Sequence, residues 1–233
     1  LGPLKYVAHQ LLSEPPDGID TVIVLSADPG RGSLVSAGGF GDPRSAGRCS
    51  GAALGEQMVH GGGHGDYHVI VLAPSTVQES VDLTVLAFDL AEKYRSIVAI
   101  LTDGSIGQMM EPCELPPMQP LKTDHPAWAA TGAQGRERNF LSSIYLNVAE
   151  EEQANLRWMR KWQEIEANEV RFREYYTEDA KYLVVGFGSA GRVALSAVRA
   201  ARAEGIPVGL LRPITLAPFP SQKLSELARR MQG

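Results

Sequence analysis

Residues 68–79 read His-Val-Ile-Val-Leu-Ala-Pro-Ser-Thr-Val-Gln-Glu, and this stretch decides the fold of the chain. The apolar run over 68–73 predicts a buried strand, which Pro74 ends because proline has no amide hydrogen to donate to a strand ladder. Overlapping capping boxes begin at Ser75 and Thr76, and such boxes are typical of the first turn of a helix. We therefore expect a strand that leads directly into a helix.

Apolar residues repeat at helical spacing over 77–91, and a second apolar run at 97–101 predicts another strand. A strand–helix–strand unit of this length requires parallel strands and a right-handed crossover. Because both strands are wholly apolar, both faces of their sheet are expected to be covered. A second unit of the same kind closes the chain, with strands at 182–185 and 206–211 and a helix over 189–203. The fold class is therefore α/β.

The segments around these units carry weaker signals. A short buried strand is predicted at 21–25, and a loop is predicted over 30–65, where 12 of the 24 glycines fall. Five of the 15 prolines lie between 111 and 126, which indicates a linker. A long charged helix with one modest apolar stripe is predicted to follow, roughly over 150–176.

Composition excludes several classes of function. The chain has 22 Lys and Arg against 27 Asp and Glu, a formal net charge of -5, so it lacks the basic footprint of a nucleic-acid-binding protein. No apolar run of about 18 residues predicts a membrane span. Cys49 and Cys113 lie far apart, and two cysteines cannot hold an iron–sulfur cluster or a four-cysteine zinc site. We expect a cytoplasmic protein with no metal site, no nucleic-acid partner and no membrane contact.

Two motifs have competing interpretations. The segment Gly186–Gly191 fits Gly-x-Gly-x-x-Gly between a strand and a helix, as in a dinucleotide-binding fingerprint. The following strand ends at Arg212 rather than at an acid that would bind a ribose hydroxyl, so a tight strand-to-helix turn is the competing interpretation. His60, His64 and His68 are spaced like zinc ligands on a helix, but each intervening glycine disfavours that helix by about 1 kcal/mol. His64 is expected in a loop near a strand end.

Polar residues follow the ends of the predicted strands. Open parallel sheets bind ligands beyond the carboxyl ends of their strands, so Asp103 and Gln108 are candidates to face a crevice. Asp103 is equally suited to cap nearby backbone amides in a turn. Arg212 can clamp a carboxylate or phosphate, or it can fasten two domains together.

Longer stretches of sequence point to a family. The words are Gly-Gly-Gly-His-Gly-Asp-Tyr at 61–67, Leu-Ala-Pro-Ser at 72–75, Gly-Gln-Met-Met-Glu-Pro at 107–112 and Val-Gly-Leu-Leu-Arg-Pro-Ile-Thr-Leu at 208–216. These motifs occur in the same order in the alpha subunit of 2-oxoacid:ferredoxin oxidoreductases, which the chain resembles over about residues 58–233. Within that family it most resembles the 2-oxoisovalerate (3-methyl-2-oxobutanoate) branch.

The resemblance implies an arrangement of domains. A divergent segment over 1–57 would precede the remainder of a thiamine-diphosphate-fold, pyrimidine-type domain with a partial parallel sheet at 58–111. A linker and the long charged helix would span 112–177. A truncated, transketolase C-terminal-like α/β domain would occupy 178–233. We therefore expect the chain to be a fragment of a longer subunit.

The resemblance also implies a chemistry. Thiamine diphosphate with magnesium would be shared with a partner subunit of beta type. Gamma- or delta-type subunits would complete the complex, and an iron–sulfur cluster would lie on a partner subunit only. The complex would decarboxylate a 2-oxoacid oxidatively, pass electrons to ferredoxin and form an acyl-CoA, and the isolated chain would be inactive. Pyruvate or 2-oxoglutarate specificity, an NAD(P)-binding module at Gly186–Gly191 and a non-catalytic scaffold are the alternatives.

The resemblance assigns no catalytic residue. The family's Tyr-Pro-Ile-Thr-Pro-type substrate loop and the acid that activates the aminopyrimidine ring have no counterpart in residues 1–57. Asp103 and Gln108 match motif positions and are the candidates for contact with the cofactor. Arg212 and His64 are the candidates for an interface or for contact with an anion.

Overall fold

A computed structural model of the chain describes residues 21–25, 35–37, 59, 68–118, 125–130, 132–139 and 144–231. Within these ranges two small sheets and five helices follow one another in this order: β1 (Thr21–Leu25), β2 (Val35–Ala37), β3 (Ile70–Leu72), α1 (Val77–Tyr94), β4 (Val98–Thr102), α2 (Gly104–Gln108), α3 (Val148–Asn168), β5 (Phe172–Tyr175), β6 (Tyr182–Val185), α4 (Gly188–Ala203), β7 (Val208–Pro213), β8 (Thr215–Ala217) and α5 (Ser221–Arg230).

The first sheet has the order β2-β1-β4-β3-β8. Its centre is the first predicted unit, in which β3 and β4 pair in parallel and α1 makes the crossover. The predicted strand at Thr21–Leu25 is present, and it pairs antiparallel with β4. Strand β8 is also antiparallel, so the sheet is mixed, with a parallel centre flanked by antiparallel strands.

Local chemistry determines where α1 begins and what it covers. The Thr76 hydroxyl accepts a hydrogen bond from the Glu79 amide at 3.1 Å, as the capping box predicts. The helix buries an apolar face against the strands, including Leu83, Ala87 and Leu90 over Ile100. Each fully buried aliphatic side chain of this kind stabilises the fold by about 1.5–3 kcal/mol.

The second sheet has the order β5-β7-β6. Strands β6 and β7 pair in parallel through the α4 crossover, which confirms the second predicted unit. Every residue of β7 is buried, as expected for a central strand covered on both faces. Gly205, with φ of +84°, follows the end of α4 in the left-handed conformation that glycine tolerates best.

The predicted helix over 150–176 is wrong in its last turns. Helix α3 ends at Asn168, and residues 172–175 form β5, which pairs antiparallel with β7 from Phe172 opposite Pro213 to Tyr175 opposite Leu210. The backbone here pairs with a strand 35 to 41 positions further along the chain, which no local helical period can reveal. Of the predicted apolar stripe, Ile165 is buried while Leu156 and Met159 are exposed.

The two crossover units are joined through β8, which follows β7 directly in the chain. After β7 the chain turns, and β8 adds to the edge of the first sheet beside β3. The Ala73 amide donates to the Ile214 carbonyl at 2.7 Å, which continues this junction. The second unit therefore completes the first sheet. Within the described ranges, none of the helices has the length and apolarity needed to cross a membrane.

Candidate functional site at the seam between the two units

Parallel α/β sheets bind ligands beyond the carboxyl ends of their strands, and here those ends are covered. Strands β3 and β4 end against the first turn of α4 and the end of β7. We call this contact the seam, and it consists of Ser75, Glu79 and Asp103 of the first unit with Gly188, Ser189 and Arg212 of the second.

A buried ion pair lies at the centre of the seam. The Arg212 guanidinium donates to the two carboxylate oxygens of Glu79 at 2.9 and 2.6 Å and to the Ser75 hydroxyl at 2.9 Å. The Arg212 side chain is 3% exposed and that of Glu79 13% exposed. Burial raises the pKa of the Glu79 carboxyl, but the hydrogen bonds and charge of Arg212, with those from Ser75, outweigh it, so the net pKa is lowered. Arg212 thus fastens the two units together.

The Arg212 side chain is not fully satisfied. Its buried Nε has no hydrogen-bond partner among the described residues. An unpaired buried donor loses its hydration without compensation. The ion pair with Glu79 must therefore offset more of the free-energy cost of burying Arg212.

Asp103 caps two helices at once. Its Oδ1 accepts from the Ile106 amide of α2 at 3.0 Å, and its Oδ2 accepts from the Ser189 amide of α4 at 2.9 Å. The residue that precedes α4, Phe187, offers no side-chain cap. A carboxylate at two helix N-termini is also favoured by both helix dipoles. Of the two roles predicted for Asp103, the geometry shows the capping one.

Two glycines of the Gly-x-Gly-x-x-Gly motif, Gly188 and Gly191, are favoured by backbone conformation and close packing. A Cβ on Gly191 would lie 2.7 Å from the Gly186 carbonyl oxygen and 3.0 Å from Cγ of Arg212. Gly188 has φ of +56°, and a Cβ there would lie 3.2 Å from the Asp103 carboxylate. The helix start that would hold a pyrophosphate already holds this carboxylate. The motif is therefore explained without a nucleotide.

A second ion pair lies on the rim of the seam. Glu111 accepts from Arg192 of α4 at 2.6 Å and from the Val77 amide, the first residue of α1, at 3.4 Å. The hydrogen bond from Arg192 lowers the pKa of the Glu111 carboxyl. Gln108 is exposed close by, at the end of α2. This rim faces solvent and is accessible to another protein.

Glu169 forms a cluster that the sequence patterns did not predict. Its carboxylate, 3% exposed, accepts from Lys93 at 2.8 Å, from the Tyr94 hydroxyl at 2.5 Å and from Arg171 at 2.7 Å. Burial alone raises the pKa of Glu169, but these three donors outweigh it and lower the pKa to about 2. The cluster ties the end of α1 to the start of β5. In the sequence Glu169 is one of several acids in a charged stretch, and no spacing singles it out.

The structure does not describe the position of the remaining predicted site residue. His64 lies outside the described residues, as do Cys49 and His60. Within the part of the chain that the structure describes, no group of three or more His, Cys, Asp or Glu side chains converges as a metal site.

The described residues do not fit thiamine diphosphate by themselves. The cofactor's aminopyrimidine ring needs a carboxyl group that is available to it. The two acids at the covered strand ends are committed elsewhere, Glu79 to Arg212 and Ser75, and Asp103 to two helix amides. What the described seam offers is therefore a closed contact with an exposed rim.

The chain matches two sequence models of known families. Residues 52–176 match pyruvate flavodoxin/ferredoxin oxidoreductase, thiamine diphosphate-binding, and residues 180–233 match pyruvate:ferredoxin oxidoreductase core domain II.

Two curated relatives indicate how similar the chain is to characterised subunits. It is 51% identical over 172 residues to ketoisovalerate oxidoreductase subunit VorB of Methanothermobacter thermautotrophicus, which covers 74% of this chain and 49% of the relative. It is 34% identical over 212 residues to 2-oxoglutarate synthase subunit KorA of Methanocaldococcus jannaschii, covering 78% and 56%. The chain thus spans about half the length of these relatives.

A solved structure shares the fold. It is the 2-oxoglutarate:ferredoxin oxidoreductase from Magnetococcus marinus with 2-oxoglutarate, coenzyme A and succinyl-CoA bound. The TM-score is 0.61 at 21% identity, and the match covers 76% of this chain and 36% of that one.

Proposed function

The chain belongs to the pyruvate flavodoxin/ferredoxin oxidoreductase family, and from that premise we propose that it acts as part of a 2-oxoacid:ferredoxin oxidoreductase. In this role it works with partner subunits that decarboxylate a 2-oxoacid oxidatively, pass electrons to ferredoxin and form an acyl-CoA. The matching relatives are themselves named as subunits, which supports assembly with other chains.

The substrate that we propose is 2-oxoisovalerate, a branched-chain 2-oxoacid. The observation that carries this choice is the 51% identity to a ketoisovalerate oxidoreductase subunit, against 34% to a 2-oxoglutarate synthase subunit. Each methylene group lost from a substrate weakens binding in an apolar pocket by about 1–3 kcal/mol, so pyruvate should react more slowly, and 2-oxoglutarate would have to bring a second carboxylate into such a pocket.

Thiamine diphosphate with magnesium is the cofactor of the proposed complex, and when bound it supplies the carbanion chemistry. Because both seam acids are engaged within this chain, we assign the activating acid to residues outside the described ranges or to a partner. The iron–sulfur cluster is assigned to a partner. Asp103 then acts as a positioning residue that holds α2 and α4, while the exposed Gln108 faces the partner or the cofactor. His64 remains a candidate contact.

We also propose a division into functional segments. A divergent segment spans 1–57, the pyrimidine-type domain continues over 58–111, a linker and α3 span 112–177, and the transketolase C-terminal-like domain spans 178–233. The boundary between the two family matches, at 176 and 180, supports the last division.

The test is reduction of a viologen dye by 2-oxoisovalerate in the presence of CoA and thiamine diphosphate. We expect turnover from the complex of this chain with its partner subunits and none from the chain alone. Pyruvate and 2-oxoglutarate serve as matched substrates and should give lower kcat/KM. Turnover by the isolated chain would contradict the shared site, and a higher kcat/KM for 2-oxoglutarate would contradict the substrate.

A further inference from the structure

A positively charged groove lies away from the seam, between the end of α1 and the middle of α3. Its volume is about 400 Å³, and it is lined by Lys93, Tyr94, Arg157, Arg160, Lys161 and Glu164. We call it the cationic groove. Four of its six lining residues carry positive charge, on a chain whose net charge is -5.

The α3 side of the groove carries three cations. Arg157 lies three positions before Arg160 and four before Lys161, so each of these two side chains neighbours Arg157 on the helix surface and repels it. In the described part of the chain, no carboxylate lies within salt-bridge distance of any of the three. Arg157 and Arg160 are exposed.

The rest of the groove does not relieve this charge. The Lys93 ammonium is already paired with Glu169, and it lies over the Tyr94 ring at 4.6 Å. Lys161 donates to the Arg95 carbonyl at 3.2 Å. Burial and the nearby charge of Arg95 lower the pKa of Lys161, which shows that its charge is held in an unfavourable place. Glu164 is the single acid in the lining.

The shape of the charge distribution distinguishes two kinds of ligand. A site for one small anion needs donors that converge on a point, with buried polar groups at its floor. Here the guanidinium groups are spread along an exposed helix face, and the half-buried ammonium of Lys161 uses one of its three donors on a backbone carbonyl. A row of this kind matches carboxylates spaced along a polypeptide, which it would also attract at long range.

We propose that the cationic groove binds an acidic segment of a partner protein. Carboxylates of that segment pair with Arg157, Arg160 and Lys161, and the guanidinium groups donate to the carboxylate oxygens in a forked geometry. Glu164 repels any carboxylate of the segment that lies beside it, so it contributes to the choice of partner. The inference does not depend on the proposed function.

The test uses the full chain and a fluorescein-labelled oligoglutamate peptide, with binding followed by fluorescence anisotropy at low salt. R157E/R160E should weaken binding by about tenfold or more, and R157Q/R160Q by less. R199E is the matched control, because Arg199 is also an exposed helical arginine, on α4, and should leave binding within about twofold. E164K should strengthen binding. Thermal unfolding of each variant verifies that the fold is retained.

Equal weakening by R199E and R157E/R160E would overturn the proposal, because it would mean non-specific attraction. Absence of peptide binding to the wild-type chain would also overturn it. Inorganic pyrophosphate provides the last arm. If it displaces the peptide only as sodium chloride of equal ionic strength does, the acidic segment is supported; if it displaces the peptide at far lower concentration, the groove is a phosphate site and the proposal is wrong.

Discussion

Removing the negative charge of Glu79 tests the seam most sharply. In E79Q the shape of the side chain is kept, while Arg212 loses the carboxylate that it contacts at 2.9 and 2.6 Å. What remains is a guanidinium with a 3% exposed side chain, bonded to the Ser75 hydroxyl and with its Nε unpaired among the described residues. Arg173 also lies 3.5 Å from Glu79, but its side chain is mostly exposed, so losing this ion pair changes the stability little.

The expected loss follows from that burial. Breaking a buried ion pair by removing one partner destabilises proteins by about 3–5 kcal/mol, because the other charge is left uncompensated. Glutamine retains a neutral acceptor for Arg212, so we expect the lower end, about 3 kcal/mol. For a chain of this size that loss lowers the melting temperature by roughly 6–12 °C.

The assay is urea denaturation followed by circular dichroism, with E226Q as the matched control. Glu226 also pairs with two cations, Lys223 at 3.2 Å and Arg230 at 3.7 Å, but its side chain is 54% exposed. Exposed pairs contribute about 0–1 kcal/mol, so E226Q should change stability little. The double variant E79Q/R212M should lose less than the sum of the single losses. Equal free energies of unfolding for E79Q and E226Q would refute the reasoning.

Three further predictions follow from the same contacts. D103A removes the cap of two helices and should cost about 1–3 kcal/mol of unfolding free energy, while D89A, on the exposed face of α1, should cost little; equal losses would argue against the double cap. G191A forces a Cβ to 2.7 Å from a carbonyl oxygen and should destabilise by about 1–3 kcal/mol, unlike S196A on the outer face of the same helix; a neutral G191A would mean that the packing is loose. The pKa of Glu169 is lowered from 4.5 to about 2, so its contribution to the free energy of unfolding is present above pH 4.5 and is lost as the pH falls toward 2. In unfolding experiments E169Q should therefore lose less stability than the wild type over this pH range. An equal loss of stability in both proteins would contradict this prediction.

The sequence patterns predicted those elements whose signals are local. The apolar runs, the capping box at Thr76 and the glycine after α4 each depend on neighbouring residues, and the structure has all three. Strand β5 was missed because its ladder partner, β7, is remote in sequence. Its residues, Phe172–Tyr175, continue a charged helical pattern, and tertiary pairing overrides such a pattern.

The sequence could indicate which residues form the seam, but not which of them contact one another. Asp103 and Arg212 are conspicuous because each is a polar residue at the end of an apolar strand. That Asp103 reaches the amide of Ser189, and Arg212 the carboxylate of Glu79, depends on how β8 returns to the first sheet. The sequence of residues 208–216 indicated the family but not this geometry, because sequence similarity gives no interatomic distances.

Titration of thiamine diphosphate and magnesium by calorimetry tests the central claim, that this chain supplies one part of a site completed elsewhere. The account predicts no saturable heat with the isolated chain and saturable binding with the chain assembled with its partner subunits. Saturable binding of equal affinity by the isolated chain would contradict it, because the acids that the structure describes at the strand ends are already engaged.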